Sequence, residues 1–294
     1  MKNICKITAL LAAVLMLFCV TGCGDNASGT PAEPPFVANE TPLTLEAVQA
    51  GTITLTNPWS TLKYKKNGSD FVNVTASGNP PEATITVAAG DKVAFYANGS
   101  ENTVNTNTRF HIGCNSDCFV YGNVMSLLSS SNFENATSIS TEYALAHLFD
   151  GNNHIKNHTQ KALVLPATTL ANGCYWVMFQ ECSGLTSAPA LPATTLVDLC
   201  YCGMFAGCTS LTSAPVLPAT TLAAVCYSGM FNGCTSLSSV TCLATDISAE
   251  NCTSNWLNGV ASSGTFTKAS TMSSWTTGVS GIPSGWTVQD YSAQ

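Results

Sequence analysis

The sequence predicts a mixed α/β fold, with a small N-terminal β-sandwich-like module followed by a short solenoid of repeats closed by end caps. Two observations predict it. Between Thr44 and about Leu128 apolar and polar residues alternate with a period of two, and from Leu165 onward the chain repeats itself every 26 residues. A third observation, the character of the first forty residues, sets where such a protein would work.

The chain opens with Lys2 and Lys6, an uncharged apolar stretch from Ile7 to Val20, and then Val20-Thr21-Gly22-Cys23. A basic start, a hydrophobic middle and small residues before a cut make a secretory signal, assigned to residues 1–22. The apolar stretch falls short of the roughly 20 residues a helix needs to cross a bilayer, so removal is expected rather than a permanent span. The series Val-Thr-Gly-Cys resembles a bacterial lipobox, which implies that Cys23 becomes the acylated first residue, carrying palmitate-type chains. Each buried CH₂ adds about 0.8 kcal/mol, so two or three chains would hold the protein on a membrane stably. The expected location is the cell envelope, at the outer membrane or cell surface, and the membrane is the first expected partner.

Residues 23–43 are rich in Gly, Pro, Ala, Asn and Thr, with only Phe36 and Val37 as apolar residues of size between Gly24 and Pro42. They cannot bury enough surface to fold alone and read as a tether. Residues 44–128 carry strand patterns such as Thr52-Ile-Thr-Leu-Thr and Ala83-Thr-Ile-Thr-Val, broken by Asn-Gly, Asn-Pro and Ala-Gly-Asp turns. Several short strands at that spacing predict the β-sandwich-like module. Residues 129–164 are expected to form an N-terminal cap with a divergent repeat, in which Leu148-Phe149-Asp150-Gly151 replaces Met-Phe-x-Gly and four extra residues precede Leu165.

The repeats occupy residues 165–268. Copies starting at Leu165, Leu191 and Leu217 align without gaps; the first two share 16 of 26 positions and the last two 17, which excludes chance. A decayed copy follows from Leu243, with Cys252 in register. A period in the twenties on a Leu/Cys skeleton lies in the leucine-rich-repeat range, where each unit buries its apolar side only by stacking on the next. The expected inward positions are Cys174, Met178, Phe179, Cys182 and Leu185, then Cys200, Met204, Phe205, Cys208 and Leu211, then Cys226, Met230, Phe231, Cys234 and Leu237. Residues 269–294, with Trp275 and Trp286, are expected to cap the open end.

This spacing, C-x3-M-F-x2-C-x2-L, resembles the BspA-type leucine-rich repeats of bacterial surface antigens, whose units carry I-x3-A-F-x2-C-x2-L before a short strand. Cys stands for Ile, Met for Ala, and each unit is lengthened to 26 residues. The resemblance spans roughly Tyr143 to Lys268, under half the chain, and implies a leucine-rich-repeat solenoid whose strand side binds a partner. Candidate strands follow each Leu. The third, Leu237-Ser-Ser-Val-Thr-Cys, places Val240 and Cys242 inward and Ser239 and Thr241 outward. Strands after Leu185 and Leu211 are expected to end near Pro189 and Pro215, since proline cannot donate to a ladder. The candidate ligand face is therefore the outward row Thr186, Ser187, Pro189, Thr212, Ser213, Pro215, Ser238, Ser239 and Thr241.

The remaining chemistry is sparse. Seven of the mature cysteines recur at the repeat interval, which marks buried repeat positions rather than bridge pairs; for Cys114 and Cys118 a local disulfide and buried thiols stay equally open, and Cys202 is expected to point outward. His111, His147, His154 and His158 read as solvated, with no zinc-protease pattern and no metal expected. No nucleophile elbow, phosphate-cradling loop or dinucleotide motif occurs, and the repeats hold only Glu181, Asp198, Asp246 and Glu250 as carboxylates, so no enzyme and no cofactor are expected. A net charge of −7, with only 9% charged residues, offers no footprint for nucleic acid. The function read from the sequence is a lipid-anchored cell-surface binding or adhesion protein that contacts a host protein, a glycan or another cell. The alternative is a structural coat protein without a dedicated ligand.

Overall fold

A computed structural model describes residues 35–97, 109–273 and 275–292; the expected signal segment, Cys23 and the tether up to residue 34 lie outside the described residues. Phe36–Gln294 form one compact unit. The mixed α/β class is overturned: the fold is nearly all β, with 27% strand, 3% helical residues and no α-helix among the described residues, and the leucine-rich-repeat solenoid does not stand as its fold.

The first eight strands alternate as their residues dictate. They are β1 (Thr44–Ala47), β2 (Gly51–Thr56), β3 (Lys63–Lys66), β4 (Val72–Asn73), β5 (Glu82–Val87), β6 (Lys92–Tyr96), β7 (His111–Cys114) and β8 (Cys118–Asn123). One antiparallel sheet runs β5-β2-β7, and Ile53, Leu55, Ile85, Val87 and Ile112 project from it into the core. The other holds β1, β3, β4, β6 and β8, and Leu45, Val93, Phe95 and Val120 project from it into the same core. This second sheet continues into the repeats, because β9 (Ile155–Asn157) and β10 (Leu163–Val164) both pair parallel with β8. At the far end, β11 (Ser213–Leu217), β12 (Ser239–Cys242), β13 (Thr265–Lys268) and β14 (Thr287–Asp290) form a parallel four-stranded sheet.

Between these sheets the repeats stack unit on unit. All fifteen expected inward positions are buried, none more than 1% exposed. Phe149, Phe179, Phe205 and Phe231 stack nearly face to face at 5.5 to 5.7 Å between centroids. A second column, absent from the expected inward set, runs Tyr175, Tyr201, Tyr227, Trp256 and Trp275. Trp275 thus closes the end of that column, and Trp286 anchors the last turn by donating its indole N–H to the Ala261 carbonyl at 2.8 Å.

The backbone explains why no helix forms on this wall. From Gly173 to Cys182, alternate N–H groups reach either three residues back or across to the next unit. Cys174, Trp176 and Met178 donate to Ala171, Gly173 and Tyr175, whereas Tyr175, Val177 and Phe179 donate to Cys200, Cys202 and Met204. A helix would need every donor for its own chain. The pattern demands a left-handed residue every fourth position, met by Gly173, Val177 (φ 46°) and Glu181 (φ 59°), then Leu199 (φ 61°), Gly203 and Gly207.

The cysteine rows sit inside as free thiols. Cys182, Cys208 and Cys234 each donate to the phenylalanine carbonyl of the preceding unit, Phe149, Phe179 and Phe205, at 3.0 Å. Burial pushes the Cys174 and Cys242 thiols up to about 12. Cys202 is half-buried rather than fully outward.

Candidate functional site

The strand wall of the stack is interrupted. Nine consecutive residues, Ala188 to Leu196, make no backbone hydrogen bond to any other part of the described chain. Their burial alternates as in a strand: Pro189, Leu191 and Ala193 are buried, and Ala190, Pro192 and Thr194 exposed. Equivalent stretches on either side are tied down. Thr168 and Thr169 donate to Thr137, and Thr169 bridges Ser138. Two units later, Thr245 and Asp246 donate to Thr220, and Thr221 bridges Asp246. Thr195, at the same register, bridges nothing.

Two causes open the wall. On one side, the four extra residues before Leu165 divert β10 onto β8, where Leu163 pairs with Gly122 and Val164 with Asn123. Only Asn157 then reaches across, its Oδ1 accepting from the Thr186 and Ser187 N–H groups at 2.8 and 3.1 Å and its Nδ2 donating to the Ser187 carbonyl at 3.0 Å. On the other side, Pro189 and Pro215 occupy equivalent places in adjacent units, and neither has an N–H to give. Where a single proline faces a donor, pairing survives: β11 contains Pro215 and still pairs with β12, with a register shift between Ser213 and Val216. The strand after Leu211 therefore runs through its proline, against the expected end there, whereas no strand forms after Leu185.

Clefts follow the break. The larger, 690 Å³, lies between Asn157–Pro166 and Ser187–Pro192, inside the usual range for ligand sites. A second, 420 Å³, lies between Ala188–Pro192 and Pro215–Pro218, and a third, 260 Å³, between Thr194–Leu196 and Thr220–Ala223. The walls of the first two are mainly proline, alanine and leucine, with Val216 half exposed, and the third is lined mainly by threonine.

The large cleft has one polar corner. Lys161 lies 2.9 Å from Glu46 and sits over the Tyr121 ring, and the Tyr121 hydroxyl donates to the same carboxylate at 2.9 Å. Burial acts to raise the Glu46 carboxyl, but the Lys161 and Tyr121 hydrogen bonds outweigh it and hold the carboxyl below its ordinary value. His158 packs edge-on against Phe119 and Tyr121, and its Nδ1 accepts from the Gln160 and Lys161 N–H groups. Burial and the neighbouring Lys161 lower its affinity for a proton. The corner thus presents a fixed, internally neutralised set of groups rather than a free charge.

Of the nine residues assigned to the ligand face, Thr186, Ser187, Thr212, Ser213, Ser238 and Ser239 are exposed, and Pro215 and Thr241 are half-buried. Pro189 is buried, against the expected outward placement, because two successive exposed residues, Thr186 and Ser187, reset the alternation before it. Ser187 and Pro189 line the large cleft and Pro215 the second. Ser239 and Thr241 lie in β12, paired on both sides and remote from the break. The four histidines are half-buried and bonded rather than solvated: His111 to the Asp150 carbonyl, His147 to the Asp150 carboxylate, and His154 to Asp117. Among the described residues no three His, Cys, Asp or Glu side chains gather as metal ligands.

No protein-family profile, characterised protein or solved structure matches the chain.

Proposed function

We propose that this is a lipid-anchored surface protein that captures an extended polypeptide segment in the clefts beside Ala188–Leu196. The observation that carries this reading is the run of nine residues without a backbone partner, flanked on both sides by ordered sheet. A strand laid into the large cleft would take up N–H and C=O groups that the chain leaves without a backbone partner, with affinity from the backbone and selectivity from the proline and alanine walls. The lipobox at Cys23 supports the anchor, and the resemblance to BspA-type repeats supports a role at the cell surface. Many anchored copies would raise a modest single-site affinity.

The mature chain should be screened on arrays of extended peptides and of glycans. Peptide binding lost at least tenfold in Ser187→Arg, which blocks the large cleft, and kept in Ser239→Arg, on β12, is the expected result. Undiminished binding by Ser187→Arg would move the site elsewhere, and binding to glycans alone would replace the polypeptide. Cys23→Ser should release the protein from the membrane fraction and abolish fatty-acid labelling; retained label would end the anchor reading.

A further inference from the structure

We infer that Arg109, with His147 and the Trp176 ring, forms a binding site for a small oxyanion at the seam between the β-strand module and the first repeat. Arg109 is only 4% exposed, and its Nε and Nη1 have no hydrogen-bond partner. Its guanidinium lies 4.4 Å from the Tyr143 ring centroid and 5.3 Å from that of Trp176. No carboxylate of the described residues pairs with it. An arginine side chain does not shed its proton inside a protein, so the charge stays. Cation–π contact returns only a fraction of what an uncompensated buried charge costs.

His147 supplies a second, independent observation around the same indole. Its ring lies 5.0 Å from that of Trp176, its Nδ1 bonds the Asp150 carboxylate at 2.8 Å, and its Nε2 is buried without a partner. The Asp150 carboxylate is thereby committed to His147, while the Asp150 carbonyl is taken by His111 at 2.7 Å. Tyr143 (φ 56°) and His147 (φ 62°) are both held in the left-handed region, where bulky side chains are strained. The next unit has Gly173 at the place equivalent to Tyr143, and a Cβ there would lie 2.3 Å from the Tyr143 ring. A buried cation and orphaned nitrogens on two side chains thus border the Trp176 ring, on a stretch of strained backbone. An acceptor-only anion, such as phosphate, sulfate or a carboxylate, is the chemistry that would satisfy the Arg109 N–H groups, and it would take a second bond from the His147 Nε2 when that ring carries both its protons. This site is separate from the clefts and does not depend on what they bind.

The test measures the thermal midpoint of the mature protein against inorganic sulfate, phosphate and acetate, with chloride holding ionic strength constant. The midpoint should rise with anion concentration and saturate, and indole fluorescence should change along the same curve. Arg109→Met should abolish both responses while keeping a midpoint at or above wild type in anion-free buffer, since the unpaired charge is gone. Arg109→Lys, which keeps the charge but loses the planar fork, should need at least tenfold more anion. A response to sulfate and phosphate alone assigns a tetrahedral oxyanion; a response to acetate as well assigns a carboxylate. Equal rises in wild type and both variants, or no rise with any of the three anions, would overturn the site.

Discussion

The two walls of the repeat stack are built from the same 26-residue units, yet one is bonded throughout and the other is broken at Ala188–Leu196. On the turn wall, Tyr175, Val177 and Phe179 and their equivalents donate across to the next unit without a break. On the strand wall, Ala188 to Leu196 make no backbone hydrogen bond to any of the described residues. The contrast shows that sequence repetition fixes the burial of side chains more strictly than it fixes backbone pairing. Burial recurs because each unit needs the next to cover its core. Pairing fails locally because prolines face one another and an insertion redirects a strand. A rigid wall carrying an open one is a sound basis for a binding surface, since the bonded side can hold the open side in place without ligand.

The sharpest way to break the comparison is amide hydrogen exchange. The Tyr175, Val177 and Phe205 amides should exchange only on global opening, and those of Ala190, Thr194 and Thr195 should exchange faster by a factor of about 10³ or more. Similar protection on both walls would mean that the gap closes in solution. Next in size is Phe205→Ala, which removes an inner ring of a four-membered stack and should cost about 3–5 kcal/mol in denaturant unfolding. Because neighbouring units are stabilised through that ring, the transition should also broaden. A loss below about 1 kcal/mol would show that the wall is not packed as described.

Alkaline unfolding sharpens the same contrast through the thiols behind the bonded wall. Burial raises the Cys174, Cys200, Cys208 and Cys226 thiols, and the Tyr201 hydroxyl with them. The unfolded chain ionises its thiols near the ordinary value of about 8.5, and the folded chain does not. Stability is therefore complete below that pH and falls as pH rises from about 8.5 toward the folded value, which is about 12 for Cys174. Denaturant midpoints measured from pH 7 to pH 11 should decline steadily over the upper part of this range. A flat profile would show that these thiols are solvated.

Much of this was legible in the residues, and the failures have identifiable causes. The inward rows, the strands at Thr52–Thr56 and Ala83–Val87, and the alternation of β12 all follow from apolar spacing. The absence of helix does not, because Cys174, Met178, Phe179 and Cys182 lie at intervals that a helix face also uses. A signal was present in Gly203, Gly207, Gly229 and Gly233, which recur four residues apart at the left-handed positions. Val177, Leu199 and Val225 hid it by occupying the same places in other units. The prolines pointed to weak pairing after Leu185 and Leu211. Only the structure shows that two of them side by side open clefts, while one opposite β12 does not. Arg109 and His147 gave no sign in the sequence, since the residues that bring them to Trp176 are separated along the chain.

The smallest expected effect probes what the bonded wall costs the chain. Leu199 adopts φ 61°, in the place that Gly173 fills in the unit before and Val225 (φ 57°) in the unit after. For a residue with a Cβ this conformation costs roughly 1–2 kcal/mol, and glycine adopts it freely. Leu199 is half-buried, so trimming it also loses some apolar contact. Glycine further gives the unfolded chain more freedom, which opposes the gain. The balance for Leu199→Gly should be stabilisation of up to about 1 kcal/mol, read as a rise in the denaturant midpoint with unchanged slope. The same substitution at Thr194, on the open wall and without positive φ, has no strain to release and should destabilise slightly. If Leu199→Gly lost as much as Thr194→Gly, the left-handed turns would not be the strained element, and the bonded wall would owe its regularity to packing alone.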